Sequence, residues 1–181
     1  MHENPVVEYR TGSLPKLTVV LVHGRTLTPA YMQALAERLA LPDVRYVFPV
    51  ADGNTWFPKP FTAPLAENEP ALSAALAHYE SVVAGLLAAG TALDRMVVGG
   101  FSQGASLTSE FLHRYPRRYA GALLWTGGLV GPDETEWAVR RSLSGMHACV
   151  TTSEVDPFVP PHRARRTVDW LLASGAIVTA R

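Results

Sequence analysis

Ser102 stands at the centre of Gly100-Phe101-Ser102-Gln103-Gly104, with the apolar run Met96-Val97-Val98-Gly99 before it and the helix-like Ala105-Ser106-Leu107 after it. A serine hydroxyl is a weak nucleophile at neutral pH; it does acyl chemistry only beside a base and a site that accepts negative charge. The glycine spacing has a steric reading. A strand that turns into a helix this sharply leaves no room for a Cβ at Gly100 or Gly104. Ser102 is then held in a strained conformation with its Oγ exposed. The N-terminus of the following helix favours negative charge. An ordinary glycine-rich turn could carry the same five residues, but the flanking strand and helix favour a nucleophile elbow.

The run Leu21-Val22-His23-Gly24-Arg25-Thr26-Leu27 closes another apolar segment in His-Gly. Such a loop can aim a backbone N–H at the spot faced by the amide after the nucleophile, so Arg25 N–H and Gln103 N–H are the expected oxyanion donors. Gly24 allows the close approach, and Leu27 is placed on the substrate side. His23 precedes the turn at a strand end, where an imidazole bonds loop backbone rather than serving as base. Asp156 follows a buried strand downstream of the serine, the place of the acid in the order serine, acid, histidine. Asp133, in Gly131-Pro132-Asp133-Glu134, competes but reads as a solvated loop acid; Glu154 is close to Asp156 yet less suited in orientation.

The elements that would position these groups follow from hydrophobic pattern. Val-rich or aromatic runs at 17–24, 44–50, 94–101, 119–128 and 146–156 read as strands, and 176–181 as the start of a sixth. Helices are expected from Pro29, with Thr28 as its cap, through Leu39, and from Pro70 to Gly90 with Leu72, Leu76, Tyr79, Val83 and Leu86 as its stripe. Two more run from Ser102 to Tyr115, stopped by Pro116, and from Pro161 to Gly175. Residues 51–69 form a long loop broken by Gly and Pro. Its Trp56, Phe57 and Phe61 either wall an apolar acyl or aryl pocket or pack as loop aromatics on the core. Strands alternating with helices imply a parallel α/β sheet with right-handed crossovers. Residues 1–181 read as a single domain.

The 181 residues carry zero formal net charge and no basic stripe, which argues against nucleic acid or an anionic membrane as partner. The single cysteine, Cys149, excludes an internal disulfide and reads as a small buried hydrophobe. The N-terminus lacks the charged and apolar regions of a signal peptide, and no apolar run approaches the length of a membrane span. The expectation is a soluble cytoplasmic protein.

The segments LVHGRTLTP, GFSQGASL, WTGGLVGP and DPFVPPHRA resemble the phospholipase/carboxylesterase group of α/β-hydrolases, relatives of the acyl-protein thioesterases. The middle segment NTWFPKPFTAPLAENEP is similar to that of small bacterial members. The resemblance spans nearly the whole chain. It implies an α/β-hydrolase fold: a mostly parallel sheet with helices on both faces, in three layers. It implies Ser102 as nucleophile, Asp156 as acid, Arg25 and Gln103 as oxyanion amides, and no metal or cofactor. It also implies a histidine after the last strand in a Gly-X-Gly-His segment, which residues 1–181 do not contain. His2, His78, His113 and His147 fall in the wrong places, and His162 reads as a helix-start or surface residue. The fold is therefore expected to be incomplete at its C-terminal end, with part of an apolar sheet face exposed.

The reading is a serine hydrolase cleaving small carboxylic esters or thioesters through an acyl-enzyme, with homodimerisation left open. Its competitor is a non-catalytic module of the same fold that binds an apolar carbonyl ligand.

Overall fold

Apolar runs with no polar side become strands covered on both faces. In the computed structural model, which describes residues 6–181, the runs read as strands are β2 (Leu17–Val22), β3 (Val44–Pro49), β4 (Met96–Phe101), β5 (Gly121–Trp125), β6 (His147–Thr151) and β7 (Ile177–Ala180), the last of them largely exposed. All six lie parallel. An additional strand, β1 (Val6–Arg10), pairs antiparallel with β3 at the sheet edge. The sequence reading has no strand there. Val6 and Val7 are exposed and Glu8 pairs with Arg10 and Arg45, so β1 has little of the hydrophobic pattern that marks a strand. The strand order is β1-β3-β2-β4-β5-β6-β7. His2 lies outside the described residues.

Among the described residues five α-helices connect the strands: α1 (Pro29–Leu39), the single turn α2 (Leu65–Asn68), α3 (Ala71–Ala88), α4 (Gln103–Arg114) and α5 (Pro161–Ala173). Thr28 occupies the N-cap of α1 ahead of Pro29, but its side chain makes no capping bond. Gly90 follows α3 at φ +91°, the left-handed conformation glycine adopts most readily.

Alternate residues of β2 feed two cores. Val19 and Leu21 pack with Met32 and Ala36 of α1 and Tyr46 and Phe48 of β3. Val20 and Val22 join the larger core on the other face, filled by α3, α4 and α5 through Leu72, Leu76, Tyr79, Leu107, Phe111 and Leu171. Helices therefore cover both faces, giving three layers, but unequally. Among the described helices α1 alone lies on its face, against β2 and β3. Leu123, Trp125 and Cys149, farther along that face, are only half-buried, so Cys149 is less enclosed than its sequence context suggests.

By length and composition α3 is apolar enough to cross a membrane, contrary to the sequence expectation. In the fold its Leu72, Leu76, Tyr79, Val83 and Leu86 are buried against the sheet and α4.

The chain leaves β2 toward β3 through α1 and returns through α3 to β4 on the other side of β2. At such a reversal the loops beyond the strand ends diverge and open a crevice. The turn after β2 and the turn after β4 are the two that meet there.

Candidate active site

Gly99 and Gly100 of β4 lie beside Leu21 and Val22 of β2, bringing the two turns together. The β4 turn is as tight as the spacing implies. A Cβ on Gly100 would sit 2.4 Å from the Gly104 carbonyl, and one on Gly104 would sit 2.2 Å from Val22 O. Ser102 between them has φ 53° and ψ −118°, a conformation that costs an L-residue of order 1–3 kcal/mol. Its N–H donates to Trp125 O at 2.8 Å, and its carbonyl accepts from Ala105 N–H (2.9 Å) and Ser106 N–H (3.1 Å). The backbone is thus pinned on both sides, while Ser102 Oγ makes no hydrogen bond among the described residues. Gln103 opens α4, where a backbone N–H has no intrahelical acceptor.

The turn after β2 is closed by Leu27 N–H to Gly24 O at 3.1 Å. A Cβ on Gly24 would meet Phe101 O at 3.2 Å, so this turn lies directly against the end of β4. Arg25 N–H meets no protein acceptor among the described residues. His23 is fully buried. Its Nε2 accepts from Ala51 N–H at 3.3 Å, so its Nδ1–H donates to Gly24 O at 2.9 Å. Burial holds the imidazole pKa below its ordinary value, and a neutral ring bonded to backbone on both sides is a brace for the turn.

The segment 54–61 lies over both turns. Thr26 N–H donates to Asn54 O (2.7 Å). The Arg25 guanidinium donates to Phe57 O (3.0 Å), Pro58 O (2.8 Å) and Lys59 O (2.8 Å). Gln103 Oε1 accepts from Trp56 N–H (3.0 Å), and its Nε2 donates to Phe57 O (2.7 Å). Buried Asn68 of α2 accepts from Lys59 N–H and donates to Pro60 O.

A cavity of about 500 Å³ opens on Ser102. It is lined by Arg25, Thr26, Phe57, Pro60, Phe61, Ser102, Gln103, Ser106, Phe158 and Val159. The structure thus brings together Ser102, Arg25, Gln103, Phe57 and Phe61 from the sequence reading. Leu27 and Trp56 are not among the lining residues, a correction to their expected role. Trp56 is turned into the core at 4 % exposure, its Nε1–H donates to His23 O at 2.8 Å, and its ring lies between His23 (4.9 Å) and His78 (6.1 Å). Arg163 of α5 is buried behind Phe61, its guanidinium 5.3 Å from that ring and bonded to Leu129 O.

Phe158 and Val159 went unrecognised in the sequence, although both sit within three residues of Asp156. Asp156 Oδ1 accepts from Phe158 N–H and Val159 N–H, each at 2.8 Å. This Asx-type turn fixes the carboxylate by one oxygen, leaves Oδ2 without a partner among the described residues, and brings Phe158 to the cavity mouth. Asp133 is engaged elsewhere: its carboxylate pairs with His162 Nε2 (3.1 Å) and Arg163 Nη1 (3.1 Å), and its carbonyl accepts from Arg166. The hydrogen bond from His162, then the charges of His162 and Arg163, hold its pKa below the usual carboxylate value.

The other histidines are occupied or remote. His78 is buried on α3 with neither ring nitrogen bonded, His113 on α4 lies against Arg140, and His147 is exposed at the start of β6. None of the five described histidines bonds Ser102 or Asp156. Among the described residues no three His, Cys, Asp or Glu side chains group as a metal site would require.

The family model described as Phospholipase/Carboxylesterase matches residues 2–180. No curated protein is detectably similar in sequence. A solved phospholipase/carboxylesterase from Dyadobacter fermentans is 33 % identical with a TM-score of 0.90, over 99 % of this chain and 86 % of that one. The Bacillus cereus carboxylesterase is 19 % identical with a TM-score of 0.77, over 99 % and 84 % of the two chains. Arabidopsis thaliana SOBER1 is 16 % identical with a TM-score of 0.72, over 91 % and 87 %. The likeness to the last two bears on fold alone, and that fold is the α/β-hydrolase fold.

Proposed function

The chain belongs to the phospholipase/carboxylesterase family and is an esterase-type hydrolase, and from that premise we propose that Ser102 is its nucleophile. Ser102 Oγ adds to the carbonyl carbon of a carboxylic ester or thioester. The Arg25 and Gln103 N–H groups receive the developing oxyanion. The serine proton passes to an imidazole, which returns it to the leaving alcohol or thiol as the acyl-enzyme forms. Water, activated by the same imidazole, then releases the acid. Asp156 orients that imidazole through its free Oδ2. Among the described histidines none stands within hydrogen-bond reach of Ser102 or Asp156. Phe57, Phe61, Phe158 and Val159 line the space for an uncharged acyl or aryl group, since Arg25 is committed to three backbone carbonyls and offers a substrate anion no side-chain fork.

The observation that carries this reading is the pinned backbone of Ser102, with its unbonded Oγ facing an apolar cavity beside two turn amides. A fluorophosphonate should label the protein expressed from its complete gene, and Ser102→Ala should abolish labelling. The variant should retain only the acceleration that binding and the oxyanion site supply, about 10³–10⁴ over water. A folded Ser102→Ala protein with wild-type turnover of a p-nitrophenyl ester would remove the assignment.

The competing reading is a module of the same fold that binds without turnover. It predicts saturable binding of an apolar carbonyl compound with no labelling and no p-nitrophenol release.

A further inference from the structure

The two residues proposed to supply the oxyanion amides do something else in common. Arg25 and Gln103 come from different turns, yet both side chains end on one atom, Phe57 O, at 3.0 and 2.7 Å. Phe57 is among the residues bordering the cavity, with its side chain buried at 1 % exposure. Gln103 is buried, and its amide makes one bond as acceptor and one as donor, both to segment 56–57. A buried amide is tolerated only when so bonded. Arg25 adds bonds to the next two carbonyls, and Thr26 N–H ties the same turn to Asn54 O.

We infer that the Phe57 carbonyl brackets the two oxyanion turns, so that the Arg25 and Gln103 side chains position their own backbone amides and couple them, through segment 56–61, to whatever fills the cavity that this segment borders. The inference rests on the esterase reading above and extends it to specificity. A cavity wall that is only a wall changes how tightly an acyl chain binds, and its effect is confined to KM. A wall hung on the oxyanion turns changes transition-state stabilisation, so a well-fitting acyl chain raises kcat. A shift of about 1 Å in such a group costs on the order of 10²-fold in rate.

The test uses the protein expressed from its complete gene and p-nitrophenyl esters from acetate to octanoate. Gln103→Met and Arg25→Met keep both backbone amides and delete the side-chain bonds to Phe57 O. Wild-type kcat should rise with acyl length. Each variant should lose about 10²-fold in kcat on its best ester and less on acetate, while KM still falls with acyl length. The double variant should lose little more than either single one, since both act through one carbonyl. Fluorophosphonate titration counts competent serines, so loss of folded protein is separated from loss of rate. Phe57→Leu carries the test if the methionine variants do not fold. It keeps the carbonyl but trims the ring, and should lose about tenfold in kcat on octanoate, more than on acetate. Losses confined to KM, or kcat losses equal across acyl length, would overturn the inference while leaving a labelled serine esterase in place. An unlabelled wild type would bring down the esterase reading and this inference with it.

Discussion

Trp56→Ala separates a core residue from a pocket residue. The side chain is 4 % exposed, and its ring lies between the rings of His23 and His78. Removing a buried Trp side chain costs about 3–5 kcal/mol in transfer and cavity terms. It also leaves the buried His23 carbonyl without the Nε1–H donor, about 1 kcal/mol more. The sum, about 4–6 kcal/mol, is a large share of the roughly 5–15 kcal/mol that holds a domain folded. For a chain of this size about 2–4 °C of Tm follows each kcal/mol, so thermal unfolding by circular dichroism should show a fall of about 10–20 °C. Trp56→Phe keeps an aromatic ring but loses the indole donor and three buried ring atoms, so its fall should be smaller, about 4–8 °C. A Tm within about 3 °C of wild type for Trp56→Ala, together with a changed acyl-length preference, would refute this placement and return Trp56 to the pocket wall.

Asp156→Asn should lower kcat by about 10⁴ if an imidazole there needs its tautomer fixed, whereas Asp133→Asn should shift Tm and leave kcat nearly unchanged; a larger kcat loss from Asp133→Asn would reverse the roles. His162→Ala should not alter ester hydrolysis, because its Nε2 is spent on Asp133; loss of activity would make His162 the base. Stability should decline as pH falls from about 6.5 toward 4, by up to about 1.4 kcal/mol per pH unit for each buried imidazole. Burial lowers the pKa of His23, His78 and His113, the last to about 4. The unfolded chain therefore binds more protons in that window, and the stability present above pH 6.5 is lost below it. Urea midpoints at several pH values should show this decline, and His113→Gln should make it shallower.

Parts of this site could be read from residue order because steric exclusion leaves few solutions. Gly100 and Gly104 each face backbone at a distance no Cβ tolerates, so the pentad had one geometry available once a strand led in and a helix led out. His23 was legible for a related reason: an imidazole at a strand end beside Gly24 finds backbone acceptors before it finds a substrate. Trp56 was not legible. An aromatic ring in a loop has the same composition whether it faces a cavity or the core, and here the indole N–H decides by meeting His23 O, a partner with no residue type. Phe158 was missed for the converse reason. At 81 % exposure it obeys no burial pattern, and it reaches the cavity mouth through the Asx-type turn at Asp156. Strand β1 escaped because ladder bonds to β3 and the pairing of Glu8 with Arg45 leave little hydrophobic trace.

A strained serine persists only where its surroundings over-determine it. Around Ser102 the constraints come from neighbouring elements. Trp125 O of β5 takes its N–H, α4 takes its carbonyl, and the end of β2 blocks any side chain at Gly104. None of these contacts uses the hydroxyl, so the backbone is held while Oγ stays free to react. Segment 54–61 extends the same logic outward. It is bound by Arg25, Thr26, Gln103 and Asn68 through its backbone, which leaves the Phe61 side chain free to shape the cavity. Side-chain changes at Phe61 can therefore alter which acyl group fits without removing the bonds that hold the turns. Changes at Arg25 or Gln103 cannot, because those side chains are the bonds.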